Sequence, residues 1–270
     1  MNLLTSLNYI PVKRYQPETL DYKNRILANG GAISSRSLDA IEKFIQDCKE
    51  DSIWNLLIEV APFAGDNLNA ALVKLRHAGA STLLNFNFVS GDYIERGPTA
   101  GLLGDGATKY LSSGFSAQSL PDNSHLSFYL RDDLLATGNR AMAGALAGSD
   151  QYWLGSLTPA SSVDVRLGQS LTANASQPLT KGFYIGNRAA SNNLRLHRNA
   201  ALIGTNLNLV THTKPAQNIS LWAFNSNGTP AAFLPARGSF FSIGYALTDS
   251  QAALLHAAVQ TLQTNLERPV

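Results

Sequence analysis

The stretch HLSFYL at residues 125–130 shows the pattern on which the fold prediction depends. Apolar side chains occupy every second position, at Leu126, Phe128 and Leu130. Successive side chains of a β-strand point to opposite faces of the sheet, so a period of two predicts a strand with one buried face. The stretch LRLHR at residues 194–198 repeats this alternation.

Similar short apolar stretches recur after about residue 82, and polar or glycine-rich clusters separate them. They are LLNFNFV (83–89), ATKYL (107–111), GFYIGN (182–187), ISLWAFN (219–225) and GSFFSIG (238–244). The turn signals between them include Gly104-Asp105-Gly106, Asn192-Asn193 and Ser226-Asn227-Gly228. Many short strands joined by such turns predict a mainly β fold, an antiparallel sandwich or barrel.

Helical patterns precede and follow the strands. A helix that begins with Ser37 as its N-cap is predicted to bury one apolar face, and a second short helix is predicted from Ile53 to Pro62. The first face consists of Leu38, Ile41, Phe44, Ile45 and Cys48. Together they make a helical hairpin within residues 37–80, which is too small to be stable alone and is expected to dock on the rest of the chain.

The C-terminal helix is the clearest single element. Thr248 and Gln251 form a capping box, and the helical pattern continues to the break at Pro269. The apolar face consists of Ala252, Leu255, Ala258, Val259, Leu262 and Leu266.

Residues 1–36 lack a clear period, and Pro11 and Pro17 discourage a helix there. The segment nevertheless contains several apolar residues, so we interpret it as an assembly arm that packs against the rest of the fold or against a neighbouring subunit. A partly ordered tail is the alternative.

The composition excludes several classes of protein. Hydrophobic residues make up 44% and charged residues 15% of the 270-residue chain, which is typical of a globular protein. A net charge of +2 without a basic run argues against nucleic acid or a membrane as a partner. The single cysteine, Cys48, cannot form an intrachain disulfide and is predicted to be buried. The first residues lack the order of a secretory signal peptide, so no export is expected.

Four segments resemble structural proteins of phages and prophages, which are described as tail or other virion components. These segments are IWNLLIEVAPFAG (53–65), RGPTAGLLGDGATKYLSSGF (96–115), NSHLSFYL (123–130) and SIGYALTDSQAALLHAAVQTLQ (242–263). Proteins of that family carry a concanavalin A-like (laminin G-like) domain. The resemblance therefore implies an antiparallel jelly-roll β-sandwich over residues 81–270, ending in the C-terminal helix.

The same resemblance implies a location in the virion. The expected partners are other virion proteins and further copies of the chain in a symmetric homo-oligomer, with assembly through the N-terminal part. The stretch LRLHRNAALIG (194–204) looks like the hairpin of such domains, in which an Arg-Asn-Gly turn joins two strands. Ala200 stands where glycine is common, which leaves a type I′ turn open.

The acidic residues argue against a polysaccharide hydrolase. Retaining glycosidases need two carboxyl groups ~5 Å apart on one face. The related hydrolases resemble one another in a Glu-x-Asp-x-Glu strand, which this chain lacks. Glu95 is the one glutamate between residues 80 and 245, and its nearest acid is Asp92. Asp132 and Asp133 are adjacent, so on a strand they would point to opposite faces.

The histidines do not indicate a hydrolase or a zinc site either, since no Gly-x-Ser-x-Gly or His-x-x-x-His pattern accompanies them. We predict that all five are exposed polar residues: His77, His125, His197, His212 and His256. The chain is therefore predicted to have no catalytic residue, no metal site and no cofactor. Bound calcium is the alternative, with candidate ligands Asp105, Asp122, Asn123, Asp150 and Asp164.

Glycan binding needs aromatic ring faces beside hydrogen-bonding side chains. The candidate site residues are Tyr152, Trp153, Arg188, Asn192 and Asn193, and the turn at 225–228 offers further polar groups. The alternative is that Trp153 and Trp222 fill the core. The leading hypothesis is a non-enzymatic virion protein, a tail, fibre or head-decoration component. The alternatives are a lectin that binds a host receptor glycan and, third, a polysaccharide hydrolase.

Overall fold

The computed structural model describes residues 14–134, 138–156, 162–168, 172–208 and 213–270. In these ranges the chain forms three layers, with helices on one β-sheet and a second sheet on the other side of it. The helices are α1 (Pro17–Ala28), α2 (Ser35–Glu50), α3 (Leu68–Ala71) and α4 (Asp249–Asn265). Short 3₁₀ turns occur at Trp54–Leu56, Ser90–Asp92 and Ala117–Ser119.

The strands form two sheets that stack face to face. Sheet I contains β1 (Leu57–Ala61), β3 (Tyr93–Ile94), β4 (Gly101–Leu103), β6 (Ser124–Leu130), β11 (Gly182–Ala190), β12 (Asn193–Arg198), β13 (Ala201–Asn206) and β17 (Arg237–Tyr245). Sheet II contains β2 (Leu84–Phe86), β5 (Tyr110–Ser116), β7 (Arg140–Ala147), β8 (Asp150–Ser156), β9 (Val163–Leu167), β10 (Ala173–Ala175), β14 (Asn218–Leu221), β15 (Phe224–Ser226) and β16 (Thr229–Ala231).

The strand order gives the sandwich its topology. Sheet I runs β13-β12-β11-β6-β17-β4-β3, with β1 also on β17. Sheet II runs β10-β9-β8-β7-β14-β5-β2, with β15 attached to β7 and β16 to β15. Within the described ranges every pairing is antiparallel except that of β15 with β7. The predicted fold class, a mainly β antiparallel sandwich with a C-terminal helix, is confirmed.

Two hydrophobic cores result from this arrangement. Along β6, Leu126 and Phe128 point into the inner core between the sheets. Tyr129 points the other way, into a helix-side core that contains Phe44 of α2 and Leu255 of α4. Sheet I is therefore buried on both faces, whereas no helix of the described residues covers the outer face of sheet II.

The N-terminal segment differs from the prediction. Residues 17–28 form helix α1, because Pro17 occupies the first helical turn, where its missing N–H costs nothing. Tyr22 and Ile26 are fully buried in the helix-side core. Residues 1–13 of the predicted arm lie outside the described residues.

The predicted second helix is also wrong. After one 3₁₀ turn at Trp54–Leu56 the chain becomes strand β1, in which Val60 pairs with Ser242 of β17. A short apolar run fits a helix or a strand, and pairing with a sheet edge decided the outcome here. Helix α2 carries the predicted apolar face but begins earlier, with Ser34 as its N-cap in place of Ser37.

The C-terminal helix matches the prediction. Thr248 and Gln251 form the capping box, and the whole predicted face is buried. The helix packs on sheet I, where the Tyr129 hydroxyl donates to Gln260 Oε1 at 2.9 Å. None of the described helices is long and apolar enough to cross a membrane.

The β12–β13 hairpin resolves the question of its turn. Arg198 pairs with Ala201, so Asn199 and Ala200 are the two central residues, with φ values of 49° and 67°. Positive φ at both positions is the type I′ geometry, which forms although Ala200 lacks glycine's freedom. Some backbone strain is therefore retained at Ala200.

Candidate functional site

The outer face of sheet II carries a row of side chains that crosses several strands. Cross-strand pairing aligns one residue from each of six strands along this row: Leu84, Ser112, Ser220, Gly144, Trp153 and Arg166. Their sequence neighbours, such as Leu111, Leu221 and Leu154, point into the inner core. The row therefore lies on the solvent side of the sandwich.

The middle of the row is low because its residues are small. Ser112, Ser220 and Gly144 stand side by side, and a Cβ atom on Gly144 would lie 2.2 Å from Cβ of Trp153. The result is a groove of about 160 Å³ whose floor is serine hydroxyls. Its lining consists of Phe86, Tyr110, Ser112, Ser220, Asn225, Gly228 and Pro230.

One wall of this groove is aromatic. Phe86 on β2 pairs with Tyr110 on β5, and their rings stack with centroids 4.3 Å apart and planes 3° from parallel. Phe233 contacts Tyr110 edge-on at 6.2 Å. Phe86 remains 37% exposed. Tyr110 covers one face of the Phe86 ring, so the other face is available for a ligand.

The groove also presents hydroxyl groups. Neither the Tyr110 hydroxyl nor the Ser220 hydroxyl makes a hydrogen bond with the part of the chain that the structure describes. Ser112 Oγ accepts a long hydrogen bond from the Gly114 N–H at 3.3 Å. A hydroxyl both donates and accepts, so the half-buried Tyr110 and Ser112 hydroxyls can bind a polar ligand, whereas Ser220 is only 2% exposed.

The opposite wall is the β15–β16 hairpin. Asn225 Oδ1 accepts from the Gly228 N–H at 2.8 Å, and Asn225 Nδ2 donates to the Asn218 carbonyl at 3.2 Å. The Asn225 amide therefore holds the shape of the turn that was noted in the sequence. Thus the 225–228 turn does belong to the groove, as its wall.

The two predicted aromatic site residues lie on opposite faces of β8. Tyr152 is fully buried in the inner core, where its hydroxyl donates to Ser124 Oγ at 3.1 Å. Trp153 points to the outer face but is only 2% exposed, beneath Phe224 and the Arg166 guanidinium. Neither ring has a face free for a sugar.

The other predicted glycan-binding residues lie at one end of sheet I. Arg188 is 4% exposed and donates to the Leu167 carbonyl at 3.3 Å, beside a cavity of only about 10 Å³. Such a cavity holds about one water molecule. Asn192 is exposed in the β11–β12 turn, and Asn193 Oδ1 accepts from Arg195 Nε. The structure does place Tyr152 near Arg188, because Ser124, which accepts from the Tyr152 hydroxyl, pairs with Arg188. Both side chains are buried, however, and Trp153 lies on the opposite face of β8.

The alternative that tryptophans fill the core fits their burial. Trp222 is fully buried in the inner core, with edge-on contacts to Phe63, Phe88 and Phe128. Its Nε1 donates to the Ala236 carbonyl at 2.9 Å. Trp153 is also buried, although on the outer side of sheet II.

The candidate calcium ligands do not converge. Burial would raise the pKa of Asp105, but hydrogen bonds from Thr108, Lys109 and Ala107 outweigh it and lower that pKa. Asp122 pairs with Lys214, Asp150 accepts from Thr213, and Asp164 accepts from Ser162. Asn123 is exposed. Among the described residues no group of three His, Cys, Asp or Glu side chains is placed to hold a metal ion.

The prediction of exposed histidines is wrong for two of them. His125 and His197 are 0% and 1% exposed, because the side of their strands that faces away from the inner core is covered as well. His77 is exposed, His256 is half-buried, and His212 lies outside the described residues. Burial lowers the pKa of His125 to about 4.

His125 forms a serine–histidine pair that is closed to substrates. Its Nε2 lies 3.3 Å from Ser242 Oγ, while its Nδ1 faces the Tyr245 carbonyl at 2.6 Å. A catalytic triad has an acid in the place of that carbonyl. His125 and Ser242 are both fully buried, so a ligand cannot reach them. The pair instead links β6 to β17.

The acids considered for hydrolysis are engaged in structural contacts. Glu95 Oε1 accepts from the Gly65 N–H at 2.6 Å. Asp132 bonds Arg237 through both carboxylate oxygens, and Asp133 accepts from the Lys181 N–H. None of them lines the groove on sheet II.

The sequence matches no known protein-family model and no curated protein sequence. Solved structures do share the fold. The receptor-binding domain of a botulinum neurotoxin C/D mosaic serotype aligns with a TM-score of 0.52 at 11% identity, over 75% of this chain and 51% of that one. The botulinum neurotoxin DC binding domain in complex with rat synaptotagmin II aligns with a TM-score of 0.43 at 13% identity, over 58% and 42%. A type C neurotoxin structure, described by its interaction with two ganglioside molecules, gives 0.41 at 12%, over 58% and 42%.

This chain therefore spans about half the length of the structures that it matches. At such low identity the similarity shows the fold alone, a β-sandwich of the lectin-like type.

Proposed function

We propose that this protein is a lectin-like glycan-binding module and that the groove on the outer face of sheet II is its binding site. One observation carries the proposal. The Phe86–Tyr110 stack borders a groove that contains hydroxyl groups without internal partners, on the one sheet face that no described helix covers. This was the second hypothesis from the sequence, at a site other than the five predicted residues.

The chemistry of a sugar ring suits this surface. A sugar has a face of C–H groups that packs on an aromatic ring, and hydroxyls at its rim that need hydrogen bonds. The free face of Phe86 supplies the first contact, while Tyr110 and Ser112 supply partners for the second. Ligand sites commonly combine apolar walls with a few placed polar groups in this way.

The fold supports the proposal without deciding it. The neurotoxin structure with a TM-score of 0.52 is described as a receptor-binding domain. A sandwich of this type is therefore compatible with recognition at a surface, although a fold by itself does not determine function. We further propose that the module binds its glycan without cleaving it, since no carboxylate is among the described residues that line the groove.

A glycan array with the purified chain tests binding, and a Phe86→Ala variant tests the site. We expect the variant to lose the signals that the unchanged chain gives. Leu202→Ala is the matched control, because Leu202 is also an exposed apolar residue, 48% exposed, but lies on β13 of sheet I. Equal binding by Phe86→Ala would contradict the site, and a silent array would contradict the function.

A place in a virion remains a second proposal. Its basis is the sequence resemblance together with the two-sided architecture, in which a component held by its helical side would display sheet II. Helix α1 exposes Leu20 and Leu27 at 45% and 53% on that side. Deletion of residues 1–36 would remove α1 and the buried Tyr22, so substitutions on the surface are the better test.

The double variant Leu20→Glu/Leu27→Glu should fold and should no longer be incorporated into particles. Incorporation is measured by immunoblotting of purified particles, with Leu202→Glu as the control on another surface. Normal incorporation of the double variant would contradict attachment through α1.

A further inference from the structure

We propose that the groove on sheet II selects uncharged sugars and excludes those that carry a carboxylate. This inference rests on the proposed function and specifies the ligand class of the same site. It depends on the charge of the groove, its depth and the single free aromatic face. None of the lining residues that the structure describes is charged.

The charged groups next to the groove are already engaged. Lys109, which precedes Tyr110, pairs with Asp92 at 2.6 Å. Asp105 accepts hydrogen bonds from Ala107, Thr108 and Lys109 within its own loop. A ligand in the groove therefore meets hydroxyls, an amide and aromatic rings, with no free charge from these residues.

The far end of the same row of side chains is closed in a similar way. The Arg166 guanidinium lies over the Trp153 ring at 5.8 Å and donates to Gln151 Oε1 at 2.6 Å. Arg166 is therefore not free to reach along the row toward a carboxylate. Arg166 belongs to the cover of Trp153.

Because the described groove lining offers no charged partner, the cost of desolvation should discriminate between neutral and carboxylated sugars. A carboxylate that enters the groove loses part of its water shell and gains no cationic partner, which is unfavourable. A neutral hydroxyl group loses less and can exchange its water for the Ser112 or Tyr110 hydroxyl. Two sugars that differ only at this group should therefore bind with clearly different affinities.

The dimensions indicate how much of a glycan is held. A volume of about 160 Å³ corresponds to roughly five water molecules at ~30 Å³ each. Since Tyr110 occupies one face of Phe86, one ring face remains for stacking. We infer that the groove holds one sugar ring of a longer chain, stacked on Phe86 by its C–H face.

Matched pairs of sugars test this selectivity by isothermal titration calorimetry. The probes are the methyl glycosides of glucose, galactose and N-acetylglucosamine. Each is compared with the methyl glycoside of the same sugar oxidised to a carboxylate at C6, which gives glucuronate, galacturonate and N-acetylglucosaminuronate. We expect a neutral member to bind at least tenfold more tightly than its partner. We also expect its affinity to change less than twofold between low and high salt, because no ion pair is formed.

Two different failures can be told apart. If a carboxylated member binds more tightly than its neutral partner and Phe86→Ala removes that binding, the site stands and the selectivity is wrong. If no member of any pair binds, both the selectivity and the glycan-binding function are wrong.

A positive charge placed in the groove should weaken the preference for the neutral sugar. Ser112→Lys adds an ammonium group at the floor and should narrow the difference within a pair at least threefold. Pro230→Lys on the opposite wall serves as a second variant if the first does not fold. Leu202→Lys, on β13, should leave the preference unchanged. An unchanged preference in both groove variants would contradict the account.

Discussion

The outer faces of both sheets carry aromatic side chains, but the two faces differ in how far these side chains are buried. On sheet I, Tyr129, Phe183 and Phe240 point away from the inner core and are fully buried beneath the helices. On sheet II, Phe86 points away from the inner core and stays 37% exposed, stacked on Tyr110. The same kind of side chain thus builds a core on one face and, on the other, the surface that we propose as the ligand site.

This difference shows where recognition is possible in the fold. The helices bury the aromatic residues of sheet I, and this burial stabilises the fold. No described helix buries the outer face of sheet II, so one face of the Phe86 ring stays exposed and could contact a ligand. Substitutions on the two faces should separate stability from binding.

The largest expected effect is on the covered face. Phe44 of α2 contacts Phe240 of β17 edge-on at 5.5 Å, and both are fully buried. We expect Phe44→Ala to lower the free energy of unfolding by about 3–5 kcal/mol. Urea unfolding followed by circular dichroism measures the change. A loss below about 1 kcal/mol would mean that the helices do not cover sheet I as described.

The next largest effect is expected from acid, which should lower the free energy of unfolding through the buried His125. The pKa of His125 is about 4 in the folded chain and ~6.5 when unfolded, so the unfolded chain binds more protons between these values. Stability is therefore full above about pH 6.5 and falls as the pH drops toward 4. At pH 5 the loss from this group is about 2 kcal/mol, at ~1.4 kcal/mol for each pH unit.

His125→Asn isolates this contribution, because the pKa values of His197 and His256 are also lowered by burial and act in the same direction. The difference in unfolding free energy between pH 7 and pH 5 should be smaller in the variant. An equal difference in both proteins would show that His125 is not buried in its neutral form.

A smaller effect is expected at the edge of sheet I. Ala200 has φ of 67° in the type I′ turn, a conformation that costs a residue with a side chain about 1–2 kcal/mol. Ala200→Gly should therefore raise the free energy of unfolding by up to about 1 kcal/mol, reduced by the greater freedom of glycine when unfolded. Asn199→Gly is the control and should change it less, since asparagine tolerates this conformation. A destabilised Ala200→Gly would contradict the turn assignment.

The smallest effect on stability is expected on the open face. Phe86→Ala removes a half-exposed ring and one aromatic pair, so the unfolding free energy should fall by no more than about 1 kcal/mol. The same variant should lose glycan binding. A loss as large as that of Phe44→Ala would place Phe86 in a core, and the comparison between the faces would fail.

Most of the strands and helices could be predicted because each type of element produces its own spacing of apolar residues in the sequence. The alternation at Leu126 and Phe128 identified β6 and its inner face, and the capping box identified the start of α4. The sequence could not show that helices would cover the outer face of sheet I, so His125 was expected to be exposed. Helix α1 was missed since Pro17 was weighed as a helix breaker.

The candidate site was missed for a related reason. Phe86 and Phe88 are two residues apart, which places them on the same face of a strand. However, β2 ends at Phe86 and Asn87 has a φ of 69°, so the chain turns and Phe88 enters the inner core. The asparagines on both sides of Phe86 were the signal that could have marked it as a surface residue.

The most direct test of the account is a map of backbone amide chemical shifts during titration with a neutral sugar that binds. We expect shifts at Phe86, Tyr110, Ser112 and Ser220, and none in α2 or α4. Shifts that instead cluster at Arg188 and the β11–β12 turn, or in the helices, would contradict it.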